Sequence, residues 1–154
     1  MSDIQPCSQS TEVARPPDGW LDAMLLLDAV EAGIEIMGKD GSGEEWPVGD
    51  VFTPGLYTRM LRIPKHGLLT SRVHMREHPF EILMGVISVW TVETGWVLHR
   101  APFAGVTKPF TRRLLFAHEE TVWITHHVTD ETDVDKIIAE ITLGHTNMML
   151  EGAK

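Results

Sequence analysis

One cysteine, one tyrosine, few basic residues and no hydrophobic run longer than five residues set the first limits on this chain of 154 residues. The lone Cys7, in a polar leader, rules out an internal disulfide framework and any thiolate-rich zinc site, and it suits a reducing cytosol. The longest apolar run, Ala23 to Leu27, is far too short to span a bilayer, and the N-terminus lacks the basic-then-apolar order of a secretory signal. A soluble, cytoplasmic protein without a membrane partner is therefore expected. Thirteen Lys and Arg stand against 22 Asp and Glu, for a net charge of −9. Without a basic cluster to neutralise phosphates, nucleic acid is not an expected partner. The G-x-S-x-G, P-loop, G-x-G-x-x-G and H-E-x-x-H patterns are all missing, which removes the commonest hydrolase, nucleotide and metalloprotease templates.

What is present fits one domain, since 43% hydrophobic content over this length supports a single core. Residues 1–18 carry too little apolar surface to offset the entropy of ordering them and read as a loose arm; 19–145 read as the folded domain and 146–154 as a tail. Trp20, Met24, Leu27 and Val30 recur at helical spacing, so a short helix is expected over Trp20–Ala32. Lys39 to Asp50, rich in Gly, Ser, Pro and acid, reads as a loop. From Tyr57 the period becomes two, giving expected strands over Tyr57–Ile63, Leu68–Met75, Phe80–Met84, Val86–Val92, Trp96–Arg100, Arg112–Ala117 and Thr121–Thr129. Ala101 to Pro109 reads as loop, and Asp133–Leu143 as a closing helix with an acidic first turn. Short strands at such spacing, with little helix between them, predict an all-β fold, an antiparallel barrel or sandwich.

Candidate chemistry concentrates in GLLTSRVHMREHPFEILMG, Gly67 to Gly85, where His74 and His78 flank a turn between strands. Imidazole is the commonest metal ligand, and two histidines beside a turn converge on one ion if another donor joins them. Strand parity puts Thr70, Arg72 and His74 on one face, and Thr121, Trp123, Thr125 and His127 on another shared face, so only one of His126 and His127 faces a pocket. Arg72 is a candidate anion-binding group or a partner for Glu81. Arg112 and Arg113 open a strand, where adjacent cations are ordinarily solvated, but Arg113 is also placed to clamp an anion. Trp123, with Trp90, Trp96, Phe80 and Phe116, is of a type that fills a barrel, and it is also the aromatic candidate for ligand contact. Tyr57, the only tyrosine, is a candidate for orienting substrate.

The order Gly67, His74, His78, Gly85, then Pro109-Phe110-Thr111 and a strand ending at His118, resembles the two motifs of the cupin superfamily. Aligned on Gly85, the resemblance puts His78 at the motif's glutamate, His74 at its second histidine and Arg72 at its first. Aligned on Pro109, it puts Thr111 at a glycine, Leu114 at a histidine and His118 at an asparagine. It implies a single cupin-like antiparallel β-barrel of jelly-roll type, with a short N-terminal and a C-terminal helix, commonly a homodimer. Arg72 and Leu114 depart from the pattern, so an ion would rest on His74, His78 and one of His127, His118 or Glu81. The cofactor implied is a divalent transition metal, with Fe, Mn, Ni and Zn undistinguished. Phrases such as RVHMREHP and AHEETVWITHH also resemble small uncharacterised cupin-like proteins of bacteriophage and bacteria, which implies host cytoplasm for a phage-encoded copy. The functional expectation is a metal-binding protein that serves as a metal-dependent enzyme on a small polar or anionic metabolite; the alternative is a non-catalytic binder of a nucleotide-like anion. Tyr57 and Glu81 are the catalytic candidates, and Arg72, Arg113 and Trp123 the substrate-binding ones.

Overall fold

The computed structural model describes residues 14–37 and 46–143. The expected leader through Val13, most of the expected loop after Met37, and the tail lie outside these residues.

Helix α1 spans Trp20–Met37, entered through a turn in which Trp20 N donates to Pro17 O. It buries Trp20, Ala23, Met24 and Leu27, the three-and-four spacing of one helical face. The helix continues past the expected end at Ala32. Gly33 weakens a helix by about 1 kcal/mol relative to alanine, yet the next residue, Ile34, is buried and its side chain offsets that cost.

The strands are β1 (Val48–Thr53), β2 (Leu56–Ile63), β3 (Leu68–Thr70), β4 (Val73–His74), β5 (His78–Met84), β6 (Val86–Thr91), β7 (Gly95–Arg100), β8 (Phe103–Thr107), β9 (Leu114–Ala117), β10 (Thr121–Val128) and, after helix α2 (Val134–Ile141), β11 (Thr142–Leu143). They form a sheet ordered β1-β2-β10-β5-β8, a second ordered β3-β9-β6-β7, and a small β11-β4 pair. All the pairings are antiparallel. The two larger sheets share a core of Ile63, Phe80, Ile82, Ile87, Val89, Leu115, Ala117 and Trp123. Phe80 and Ile82 point in while Glu81 and Leu83 do not, the alternation a half-buried strand requires.

Three expectations are corrected. The stretch from Ala101 to Pro109 is not a loop, since Phe103–Thr107 pairs with β5. Its interrupted pattern hid it: Gly105 sits where a Cβ would come within 2.8 Å of the Phe80 ring, so the strand needs a residue with no side chain there. Strand β1 begins inside the expected Lys39–Asp50 loop; all of its residues are exposed, so it shows no apolar alternation. The expected strand Leu68–Met75 breaks at Ser71 and Arg72, because Ser71 N donates to Arg113 O and Arg113 N to Ser71 Oγ, replacing ladder bonds with a crossing to β4.

Helix α2 is fixed by its N-cap, where the Asp133 carboxylate accepts from Lys136 N at 3.1 Å. It buries Ile137 and Ile141 against Tyr57. Helix α1 lies against Val73, Trp90 and Leu114 instead. The indole N–H of Trp20 donates to Phe110 O at 2.7 Å. None of the described helices is long and apolar enough to cross a membrane.

Candidate functional site

Between the larger sheets lies a cavity of about 440 Å³. Strand β4 brings His74 to its wall and β10 brings His127, while β5 places His78 beside both. The ring centroids of His74 and His78 are 4.6 Å apart, those of His78 and His127 4.3 Å, and those of His74 and His127 6.1 Å. Residues from three strands, separated by 53 positions at most (74 to 127), thus share one spot. His126, one residue from His127, takes the opposite face, where its Nδ1 meets Thr58 Oγ1 and its Nε2 meets Glu81 Oε2 at 3.2 Å.

Burial fixes the charge state of the cluster. It drives His74 from the usual imidazole value to about 2, helped by the charges of His78, Arg113 and His127. His127 falls to about 3, again chiefly from burial, with His78, His126 and Arg59 adding to it. His78 is also lowered by burial, which outweighs the opposing bond to the Arg76 carbonyl. All three are neutral at pH 7 and keep a nitrogen lone pair, the state in which imidazole binds metal.

Two of the ring nitrogens have no partner. His78 Nδ1 lies 3.0 Å from Arg76 O and donates to it, which leaves Nε2 as the acceptor; Nε2 is buried and bonded to nothing. His74 Nδ1 is also buried and unbonded. Unpaired buried polar atoms are costly, and a histidine that donates one N–H to a backbone carbonyl is oriented as metal-binding histidines are. His127 Nε2 rests 3.0 Å from Thr125 Oγ1. Among the described residues no three His, Cys, Asp or Glu side chains already surround a common point. His74 and His78 thus face each other as two neutral imidazoles, and His127 would have to leave Thr125 to become a third donor beside them.

The remaining candidates divide. Tyr57 is buried on the cavity wall, stacked 5.8 Å from His127, and donates its O–H to Asp50 Oδ1 at 2.6 Å while Arg59 Nη1 donates to its oxygen at 3.2 Å. Burial and the Asp50 bond push the phenol up to about 12, so it holds its proton. Arg72, Arg113 and Trp123 line the cavity. Glu81 does not: parity turns it to the outer face with His126. His118 lies outside as well, its Nε2 2.7 Å from Ser88 Oγ and its ring against Phe116. The structure thus does not bring either of them together with His74 and His78: Glu81 faces the outer side of β5 and His118 sits in the turn after β9.

The adjacent arginines are both buried, at 5% and 7% exposure, contrary to the expectation for a strand entry. Arg112 turns to α1, bonding Asp28, Glu31 and Met24 O, with Ser71 O on its other side. Arg113 turns into the cavity, 4.9 Å from the Phe80 centroid and 5.6 Å from that of Trp123, with Nη2 donating to Thr107 Oγ1 at 2.8 Å. Phe80 and Trp123 stack on each other at 4.6 Å, so Trp123 serves as wall and as support for the guanidinium. Sequence reasoning missed Arg59 and the inner face of α2, where Ile138 and Ile141 close the cavity. Arg59 shares the parity of Tyr57, and that signal was enough to find it.

Compared by sequence, the chain matches no family model and no curated protein. Compared by structure, it is similar to an uncharacterised conserved protein with a double-stranded β-helix domain from Klebsiella pneumoniae, at 12% identity and TM-score 0.50, over 60% of this chain and 84% of that one. It is also similar to the cupin domain of Cnp3 from Schizosaccharomyces pombe, at 14% identity and TM-score 0.47, over 56% and 63%. An RmlC-like cupin from Shewanella frigidimarina matches at 10% identity and TM-score 0.45, over 56% and 77%. The fold is thus a double-stranded β-helix. It is a cupin-like antiparallel barrel of jelly-roll type, flanked here by α1 and α2. The likeness to phage proteins rests on the quoted sequence phrases alone.

Proposed function

We propose that the cavity holds a divalent transition metal on His74 and His78, completed by His127, and presents it to a small molecule entering the barrel. The observation that carries this reading is the pair of buried, unbonded ring nitrogens, His78 Nε2 and His74 Nδ1, whose rings lie 4.6 Å apart. Three neutral imidazoles with no thiolate suit Fe, Mn, Ni or Zn. An ion so bound supplies Lewis-acid polarisation of a ligand oxygen, because three protein ligands leave positions open.

The chain's own residues have separate tasks. The Arg76 carbonyl fixes the His78 tautomer. Tyr57 keeps its proton on Asp50 and supports the His127 ring by stacking, so its part is to position His127 rather than to take a proton from substrate. Ile138 and Ile141 of α2 keep that end of the cavity apolar and limit water beside the cluster.

The test is elemental analysis of protein purified without added metal, alongside the His78→Ala variant. Wild type is expected to carry roughly one equivalent per chain, and the variant under about a tenth. A metal-free wild type that also gains no thermal stability from added Zn, Mn, Ni or Fe(II) would end the reading.

A further inference from the structure

The charge of the cavity contradicts that of the molecule. The chain carries a net −9, yet among the described residues the cavity is lined by Arg59, Arg72 and Arg113 and by no aspartate or glutamate. Arg59 has a carboxylate at hand, with Asp50 Oδ1 at 3.8 Å. Arg72 and Arg113 have none within ion-pair distance among the described residues. Arg113 is the notable member, because only 7% of it is exposed. Taking a guanidinium out of water costs several kcal/mol, and a cation–π contact returns about 0.5–2. Of its five N–H donors, one meets a partner among the described residues, Thr107. A fold that needed a cation here only for packing would pair it, as it pairs the neighbouring Arg112 with two carboxylates of α1.

We infer that the cavity is a binding site for a small organic monocarboxylate with an apolar body, whose head is held by Arg113 in the interior and whose approach is guided by Arg72 at the rim. Several features select that class. The guanidinium fork matches a carboxylate in a two-bond geometry. One interior cation balances one negative charge, whereas a phosphate monoester would bring a second charge into the same enclosed space. Beside the polar Thr70, Ser71, Thr125 and Thr142, the walls include Leu61, Ile63, Leu69 and Leu115, which offer burial to a hydrocarbon body. The inference names a ligand class for the same cavity as the proposed metal but does not need the metal, since the bonds it invokes run to the Arg113 guanidinium and not to the imidazoles.

Hexanoate and phenylacetate are the probes, with hexanamide, phenylacetamide and phenyl phosphate as comparisons, each titrated by calorimetry and thermal shift into chelator-treated and metal-loaded protein. The carboxylates are expected to bind at least about tenfold more tightly than their neutral amides, in both preparations. Arg113→Met should lose at least about tenfold of that affinity while keeping its metal, and Arg72→Gln should lose a few-fold, chiefly in association rate. Arg72 is exposed, so its variant keeps the test open even if Arg113→Met fails to fold. Amides that bind as well as acids, a preference for phenyl phosphate, no stabilisation by either carboxylate at about 10 mM, or unaltered carboxylate affinity in Arg113→Met would each overturn the inference. Carboxylate binding that appears only with metal and ignores Arg113 would overturn it while sparing the metal reading. Absence of metal with Arg113-dependent binding would do the reverse.

Discussion

Gly85→Ala is expected to cost about 4 kcal/mol or more, a large part of the roughly 5–15 kcal/mol that holds a domain of this kind together. Gly85 is the single residue between β5 and β6, so it carries the chain from one sheet to the other. Two effects act there together. Its φ of +97° lies where a side chain costs about 1–3 kcal/mol in strain. A Cβ would also stand 2.3 Å from Glu120 O and 2.8 Å from Thr121 Cα, backbone atoms at the entry to β10 that cannot swing aside as a flexible side chain would. Moving them would disturb the strand that carries Trp123 and His127. Gly95 separates the two effects, since its φ is +64° but a Cβ there meets nothing within 4 Å. Gly95→Ala should therefore cost only about 1 kcal/mol. Equilibrium unfolding in guanidinium chloride, followed by tryptophan fluorescence, should show the Gly85 midpoint lower by about 1 M. Equal midpoints for the two variants would refute the close approach.

Much of this architecture is legible in the sequence because a pleated strand repeats every two residues. Parity alone separates His127 from His126; Thr70, Arg72 and His74 also reach the cavity, but across the break between β3 and β4, where Leu69 and Ser71 line it as well. The cupin resemblance adds the barrel. Its second motif transfers poorly, however: it puts Leu114 at the histidine and His118 at an asparagine, and the strand ending at Ala117 leaves the His118 imidazole on Ser88 outside. Periodicity is silent where a strand buries nothing, as in β1, or where a glycine replaces the expected side chain, as at Gly105 in β8.

The opposite fates of Arg112 and Arg113 could not be read from the chain, because they depend on α1. A helix 81 residues earlier in sequence supplies Asp28 and Glu31 to the first guanidinium and leaves the second to the cavity. Local sequence shows two adjacent cations and no reason to treat them differently. What distinguishes them is what each meets, the carboxylates of α1 for Arg112 and the cavity for Arg113. A structural cation and a site cation thus differ in partners rather than in type.

Arg112→Met is the second large effect, about 3 kcal/mol. The guanidinium joins four groups: Met24 O, Asp28 and Glu31 on α1, and Ser71 O at the break between β3 and β4. Removing it leaves two carboxylates, 24% and 33% exposed, facing an apolar seam. Their partial access to water places the cost at the low end for a broken buried pair. The loss should be local first, with α1 freed from Val73 and Leu114, so limited proteolysis within 20–37 should accelerate before the barrel unfolds. Replacing Asp28 and Glu31 by leucine in the same variant should recover most of the stability, since apolar groups of similar size often serve such a seam as well as charges do. Ser71 also accepts the Arg113 backbone N–H, so a loosened Arg112 shifts the base from which Arg113 reaches the cavity. Carboxylate affinity should fall a few-fold in Arg112→Met and return in the triple variant. If proteolysis and midpoint are both unchanged, α1 is held by its apolar face alone and the link from helix to cavity is void.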